Sequence, residues 1–248
     1  MPAVRSQGVK IQYRAVGEGP PLVLIHGWTA SGRLNWDLPG WVEFLRPHYR
    51  LILPDLRGHG RSEKPHRPES YSLPLFAADV LAVMDHAGVA ESRVMGYSMG
   101  GMTTLELLTH HGERFTAAVV GGMGLSFPDG RRSDCRDEAP GEGTRLRRDP
   151  GRTVKGAASF VRHYDMIAQR AVWRGVFKDR GPVREPELLP GVRQPVLVVV
   201  GSRDSLCPGT RALAEALPNV RREVLPGRNH INAVRDPQFK ELVREFFA

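Results

Sequence analysis

The pentapeptide Gly96-Tyr97-Ser98-Met99-Gly100 constrains the fold of this 248-residue chain more than any other feature. A strand-like run, Arg93-Val94-Met95, leads into it, and a helical run from Met102 to His110 leads out. A serine on so sharp a strand-to-helix turn takes strained backbone angles and lifts its hydroxyl clear of the sheet. The flanking glycines are needed because a Cβ at either position collides with a neighbouring strand or helix. Chance produces roughly 0.14 such pentapeptides in a chain of this glycine and serine content. The turn therefore gains its meaning from what surrounds it.

Pro21-Leu22-Val23-Leu24-Ile25 and Val196-Leu197-Val198-Val199-Val200 are too short for exposed helices and read as buried parallel strands. Tyr49 to Leu53, Arg93 to Tyr97 and Thr116 to Val120 have the same character. Helical stretches lie between them at Leu73 to Ala87, Met99 to His111, Thr210 to Leu217 and Pro237 to Phe247. Alternating strand and helix predicts an α/β fold, a mostly parallel sheet of about eight strands with helices on both faces. Ala3 to Gln7 and Val9 to Ala15 alternate more strictly and predict an antiparallel edge hairpin around Gly8.

One segment breaks the alternation. It divides the chain into a core, residues 1–125 and 195–248, and a small helical lid insertion, residues 126–194. Pro128 to Arg152 has almost no apolar residues and cannot bury a core of its own, so a mobile loop is expected there. Val154 to Phe177 places Val154, Ala157, Val161, Tyr164, Ala168, Ala171 and Val172 at helical spacing.

Several function classes are disfavoured by composition. The apolar fraction of 41% and charged fraction of 25% are those of a globular chain. No apolar run approaches the roughly 18 residues of a membrane span. Met1 to Lys10 lacks the pattern of a signal peptide, so a cytoplasmic protein is expected. Two cysteines, Cys135 and Cys207, cannot make a disulfide framework, and Cys207 reads as a small buried hydrophobe. Scattered histidines without metal-ligand spacing argue against a metal site. The net charge of +8 comes from 30 Arg against 5 Lys, spread along the chain and interleaved with acids. No nucleic-acid motif accompanies it, so a solvated arginine-rich surface is expected rather than a nucleic-acid partner.

A serine hydroxyl is a poor nucleophile until an imidazole takes its proton and a carboxylate fixes that imidazole's tautomer. Open α/β sheets build their sites on loops at the carboxyl ends of strands. Two positions qualify as partners for Ser98: Asp204, after strand Val196 to Val200, and His230, after the run Glu223-Val224-Leu225. Serine, acid and histidine then follow one another in a recognised chain order. The developing oxyanion needs backbone N–H donors. Met99, opening the helix after the serine, and Trp28, in His26-Gly27-Trp28 after strand Leu22 to Ile25, are the candidates. Trp28 and Tyr164 are the candidate substrate-binding residues, the first as a wall of the acyl pocket and the second from the apolar stripe of the insertion.

With His26-Gly27, Asp55-Leu56-Arg57-Gly58-His59-Gly60-Arg61-Ser62, Gly96-Tyr97-Ser98-Met99-Gly100-Gly101 and the loops of Asp204 and His230, the chain resembles the α/β-hydrolase superfamily over nearly its whole length except the insertion. The likeness is to its small esterases, enol-lactonases and carbon–carbon bond hydrolases. It implies an α/β-hydrolase fold and a cofactor-free serine hydrolase, monomeric or homodimeric, that cleaves small-molecule esters or lactones through an acyl-enzyme. Activity is expected to rise with pH as His230 loses its proton. The serine argues against the dehalogenases and epoxide hydrolases of the superfamily, which carry aspartate at that turn. The resemblance also implies that the Asp55 to Ser62 loop braces the site and does no chemistry. Hydrolysis of a carbon–carbon bond, perhydrolysis, and a ligand-binding receptor of the same fold stay open as alternatives.

Overall fold

A computed structural model describes residues 1–125, 164–178, 183–206 and 208–248. Strands form at Ala3–Ser6 (β1), Val9–Val16 (β2), Pro21–Ile25 (β3), Arg50–Pro54 (β4), Ser92–Tyr97 (β5), Phe115–Gly121 (β6), Val196–Gly201 (β7) and Val220–Leu225 (β8). Helices form at Trp41–Leu45 (α1), Leu73–His86 (α2), Met99–His111 (α3), Met166–Val172 (α4), Thr210–Ala216 (α5), His230–Ala233 (α6) and Pro237–Phe247 (α7). The predicted loop from Pro128 to Arg152, the first part of the helix predicted from Val154, and Cys207 lie outside the described residues.

Leu22, Val23, Leu24 and Ile25 of β3 are all fully buried, as a strand covered on both faces requires. Successive side chains point to opposite faces, so Val23 and Ile25 pack with α2 and α3. Leu22 and Leu24 pack instead with Trp41 of α1 and Phe239 of α7. β4, β5, β6 and β7 repeat this division through Ile52, Val94, Val120 and Val198 on one face and Leu51, Met95, Val119 and Leu197 on the other. α2 starts where the Ser72 hydroxyl accepts from Leu75 N–H, with Pro74 in the first turn. Its Phe76, Ala77, Val80, Val83 and Met84 then line a single buried stripe.

The eight strands form one sheet in the order β1-β2-β4-β3-β5-β6-β7-β8. β1 pairs antiparallel with β2 and β2 with β4, which is the predicted edge hairpin. The remaining neighbours are parallel. β3 has β4 on one side and β5 on the other, so the strand order reverses at β3. The crevice outside the carboxyl ends of β3 and β5 is where such a sheet offers a site. Among the described residues no helix is long and apolar enough to cross a membrane.

Candidate active site

The crevice at the carboxyl ends of β3 and β5 holds the serine turn. Ser98 has φ 57° and ψ −119°, a left-handed conformation that strains any residue with a side chain. It is held there by its own N–H to Gly121 O at 2.8 Å and by Met102 N–H to Ser98 O at 3.0 Å. A Cβ on Gly96 would overlap Gly100 O and Thr104 Oγ1 of α3, and one on Gly100 would overlap Ile25 O of β3. Strand, turn and helix thus meet at backbone contact, with no room for side chains between them.

Asp204 and His230 lie on the turns after β7 and β8 and converge on that serine. The Ser98 hydroxyl is 2.9 Å from His230 Nε2, and His230 Nδ1 is 2.8 Å from Asp204 Oδ2. Asp204 is fully buried, and its other oxygen accepts from Leu206 N–H at 3.0 Å. A carboxylate accepts hydrogen bonds and cannot donate them, so the imidazole carries its proton on Nδ1 and offers the Nε2 lone pair to the serine. His230 opens the one-turn helix α6. The Asn229 side chain caps that turn by accepting from Ile231 N–H and Asn232 N–H, each at 3.0 Å.

The turn after β3 lies directly against the serine, since a Cβ on Gly27 would stand 3.3 Å from Ser98 Cβ. Asn35 Oδ1 accepts from Gly27 N–H at 3.0 Å, and Thr29 takes φ 59°. Trp28 sits between Gly27 and Thr29. Met99 is the first residue of α3, where an amide has no acceptor within the helix. The Trp28 indole packs 5.3 Å from the ring of Trp173 and 5.2 Å from that of Phe177. Those two rings stack on each other at 5.4 Å.

The loop from Asp55 to Ser62 directs its polar groups to scaffolding. Asp55 accepts from Gly32 N–H and Arg61 N–H, each at 2.9 Å. His26 donates from Nδ1 to Gly27 O at 2.8 Å and accepts from Leu56 N–H at Nε2, 3.0 Å, tying the two loops together. The buried Arg57 guanidinium pairs with Asp79 of α2 through Nε at 2.8 Å and Nη2 at 2.6 Å. Burial pushes the Asp79 carboxyl up, against the pull of that guanidinium. Burial also drives His26 below its ordinary range. It takes His59 down to about 3, with the neighbouring His26 adding to the shift. Their rings lie 5.1 Å apart, an arrangement that favours two neutral imidazoles.

A cavity of about 350 Å³ opens between residues 29–34, residues 55–61 and the segment bearing Tyr164 and Gln169. Its walls include none of Ser98, Asp204 and His230. Tyr164 thus lines a cavity whose walls exclude those three residues, whereas Trp28 directly follows Gly27, which abuts Ser98. Three further residues touch the site without a sequence signal that named them. Trp173 and Phe177 close on Trp28, and their four-residue spacing is the one available hint. The Tyr97 hydroxyl donates to His230 O at 2.7 Å.

Comparison with known proteins agrees with this architecture. A family model for the alpha/beta hydrolase fold matches residues 20–130. The chain is 30% identical to the esterase RhEst1 from Rhodococcus sp. ECU1013, with a TM-score of 0.75 over 98% of this chain and 96% of that one. It is 28% identical to the pimeloyl-(acyl-carrier protein) methyl ester esterase of Aeromonas hydrophila subsp. hydrophila, over 96% of this chain and 99% of the relative. It is 26% identical to 3-oxoadipate enol-lactonase 2 of Acinetobacter baylyi, over 94% and 91% of the two chains.

Proposed function

The chain belongs to the α/β-hydrolase superfamily, and from that premise we propose that it is a serine hydrolase of carboxylic esters or lactones. The observation that carries this reading is the continuous hydrogen-bonded line from the Ser98 hydroxyl through both nitrogens of His230 to Asp204. In this reading the three residues form a triad. His230 Nε2 takes the hydroxyl proton as Ser98 Oγ bonds to the carbonyl carbon. The imidazolium that results is stabilised by Asp204. The N–H groups of Met99 and Trp28 receive the oxyanion. Collapse of the tetrahedral intermediate breaks the carbon–oxygen bond of the ester, and His230 returns its proton to the departing alkoxide. Water, deprotonated in turn by His230, then releases the acid from Ser98.

Two relatives and one cluster of rings support this assignment. By name, one is a methyl ester esterase and the other an enol-lactonase. One nucleophile with one oxyanion site serves either substrate, because the two reactions differ only in whether the alcohol stays tethered. The Trp28, Trp173 and Phe177 rings favour an apolar acyl group beside the crevice.

The test is steady-state hydrolysis of short- and medium-chain p-nitrophenyl esters and a small lactone panel by wild type and Ser98→Ala. Loss of a triad nucleophile costs turnover about a millionfold in the serine hydrolase where it has been measured, and a loss of that order is expected. Turnover that survives the substitution would overturn the assignment of the nucleophile. A well-folded wild type inert on the whole panel would redirect it to carbon–carbon bonds or to ligand binding.

A further inference from the structure

The residue just before the nucleophile reaches across the site to the histidine. Tyr97 is buried at the end of β5. Its ring is gripped closely, since a Cβ on Gly121 or Gly122 would come within 2.7 or 2.8 Å of it. The hydroxyl donates to the main-chain carbonyl of His230 at 2.7 Å, and the two rings lie 5.4 Å apart. α6 has only four residues, too few for helical hydrogen bonding to fix its own position. The Val234 N–H, which an extended helix would direct to His230 O, bonds to Asn232 O instead. The carbonyl of His230 therefore meets a donor from the serine's own strand.

We infer that Tyr97 is a positioning residue for the base: its hydroxyl sets the reach of the His230 imidazole to the Ser98 hydroxyl. This deepens the proposed serine-hydrolase reading and rests on it. Because Tyr97 and Ser98 are consecutive, the bond gauges the base from the nucleophile's own backbone. Drift of the His230 turn is opposed where it would lengthen the distance between nucleophile and base. Tyr97→Phe deletes the hydroxyl and leaves the gripped ring in place. A misplacement of about 1 Å at a reacting group can lower a rate by about a hundredfold. Turnover is therefore expected to fall about tenfold or more.

The experiment compares wild type, Ser98→Ala and Tyr97→Phe on one p-nitrophenyl ester, with sites counted by a fluorophosphonate that labels an activated serine. The expected result is a lower kcat per labelled site in Tyr97→Phe, with KM held within about twofold. Counting labelled sites removes any misfolded fraction. Unchanged kcat per site, or a lowered Tm with unchanged kcat per site, would assign Tyr97 to packing alone and overturn the inference. Failure of the wild type both to label and to turn over any ester or lactone of the panel would instead remove the ester and lactone reading, and the inference with it. The two failures are distinct.

Discussion

Ser98 and His230 stand 2.9 Å apart and are held by different kinds of structure. The serine side is fixed by close backbone approach: Gly96 against α3, Gly100 against β3, and Gly27 so near that a Cβ on it would stand 3.3 Å from the serine's own Cβ. The histidine side is a one-turn helix whose approach is seated by Arg203 N–H on Arg228 O at 2.8 Å, while the turn itself is held mainly by side chains. Asn229 caps it, Tyr97 meets its first carbonyl and Asp204 meets its imidazole. Backbone contact leaves no intermediate position, so damage there is expected in folding. Side-chain ties are separable, so damage on the histidine side is expected in rate.

Gly100→Ala attacks the serine side and should have the largest effect. The new Cβ meets Ile25 O at the centre of the sheet, and a loss above about 4 kcal/mol is expected. Chemical denaturation would reveal it as an early or lost cooperative transition. A variant of ordinary stability would show that the elbow can yield, and the contrast would fail.

Acidification loads the same side from beneath. His59 resists protonation in the folded chain down to about 3, whereas an unfolded histidine takes its proton near 6.5. Between those values the unfolded chain binds the extra proton, so stability falls as pH falls. His26 shifts in the same direction. Tm should therefore drop from pH 7 to pH 5. The ring-proton resonances of His59 should keep their neutral positions at pH 5 while the fold persists, and those of His26 should titrate below the ordinary histidine range. Titration of either ring near 6.5 in the folded protein would contradict this.

Asn229→Ala is the smallest perturbation and the sharpest for the comparison. Loss of an N-cap costs about 1 kcal/mol, yet kcat should fall about tenfold through the displaced imidazole. Parallel melting and kinetic measurements decide it. A stability loss with turnover intact would mean that the histidine turn is as rigid as the elbow.

The same division explains what could be read in advance. β3 spans Pro21–Ile25, α3 spans Met99–His111 and α7 spans Pro237–Phe247, as the apolar runs, the Ser-Met boundary and Asp236-Pro237 indicate. Covered strands write themselves as continuous apolar runs and helices announce their caps, so local pattern suffices. Ser98, Asp204 and His230 were legible because each follows a strand. The Tyr97–His230 bond spans 133 residues, and the closure of Trp173 and Phe177 on Trp28 joins segments far apart in the chain. Periodicity tells which side chains are buried but not what they meet. α1 and the turn at Arg33–Asp37 were also unread, being too short to establish a period.

The four tryptophans divide into two optical populations. Trp36 and Trp41 are sealed on one face of the sheet with no exposure, so a small quencher should scarcely reach them. Trp28 faces Trp173 at 5.3 Å, and Trp173 is 48% exposed. An acyl group entering beside Trp28 would change the emission of that pair alone, against a constant background from the sealed pair. On the proposed reading of Trp28 as a wall of the acyl pocket, that pair would serve as an unlabelled reporter of occupancy.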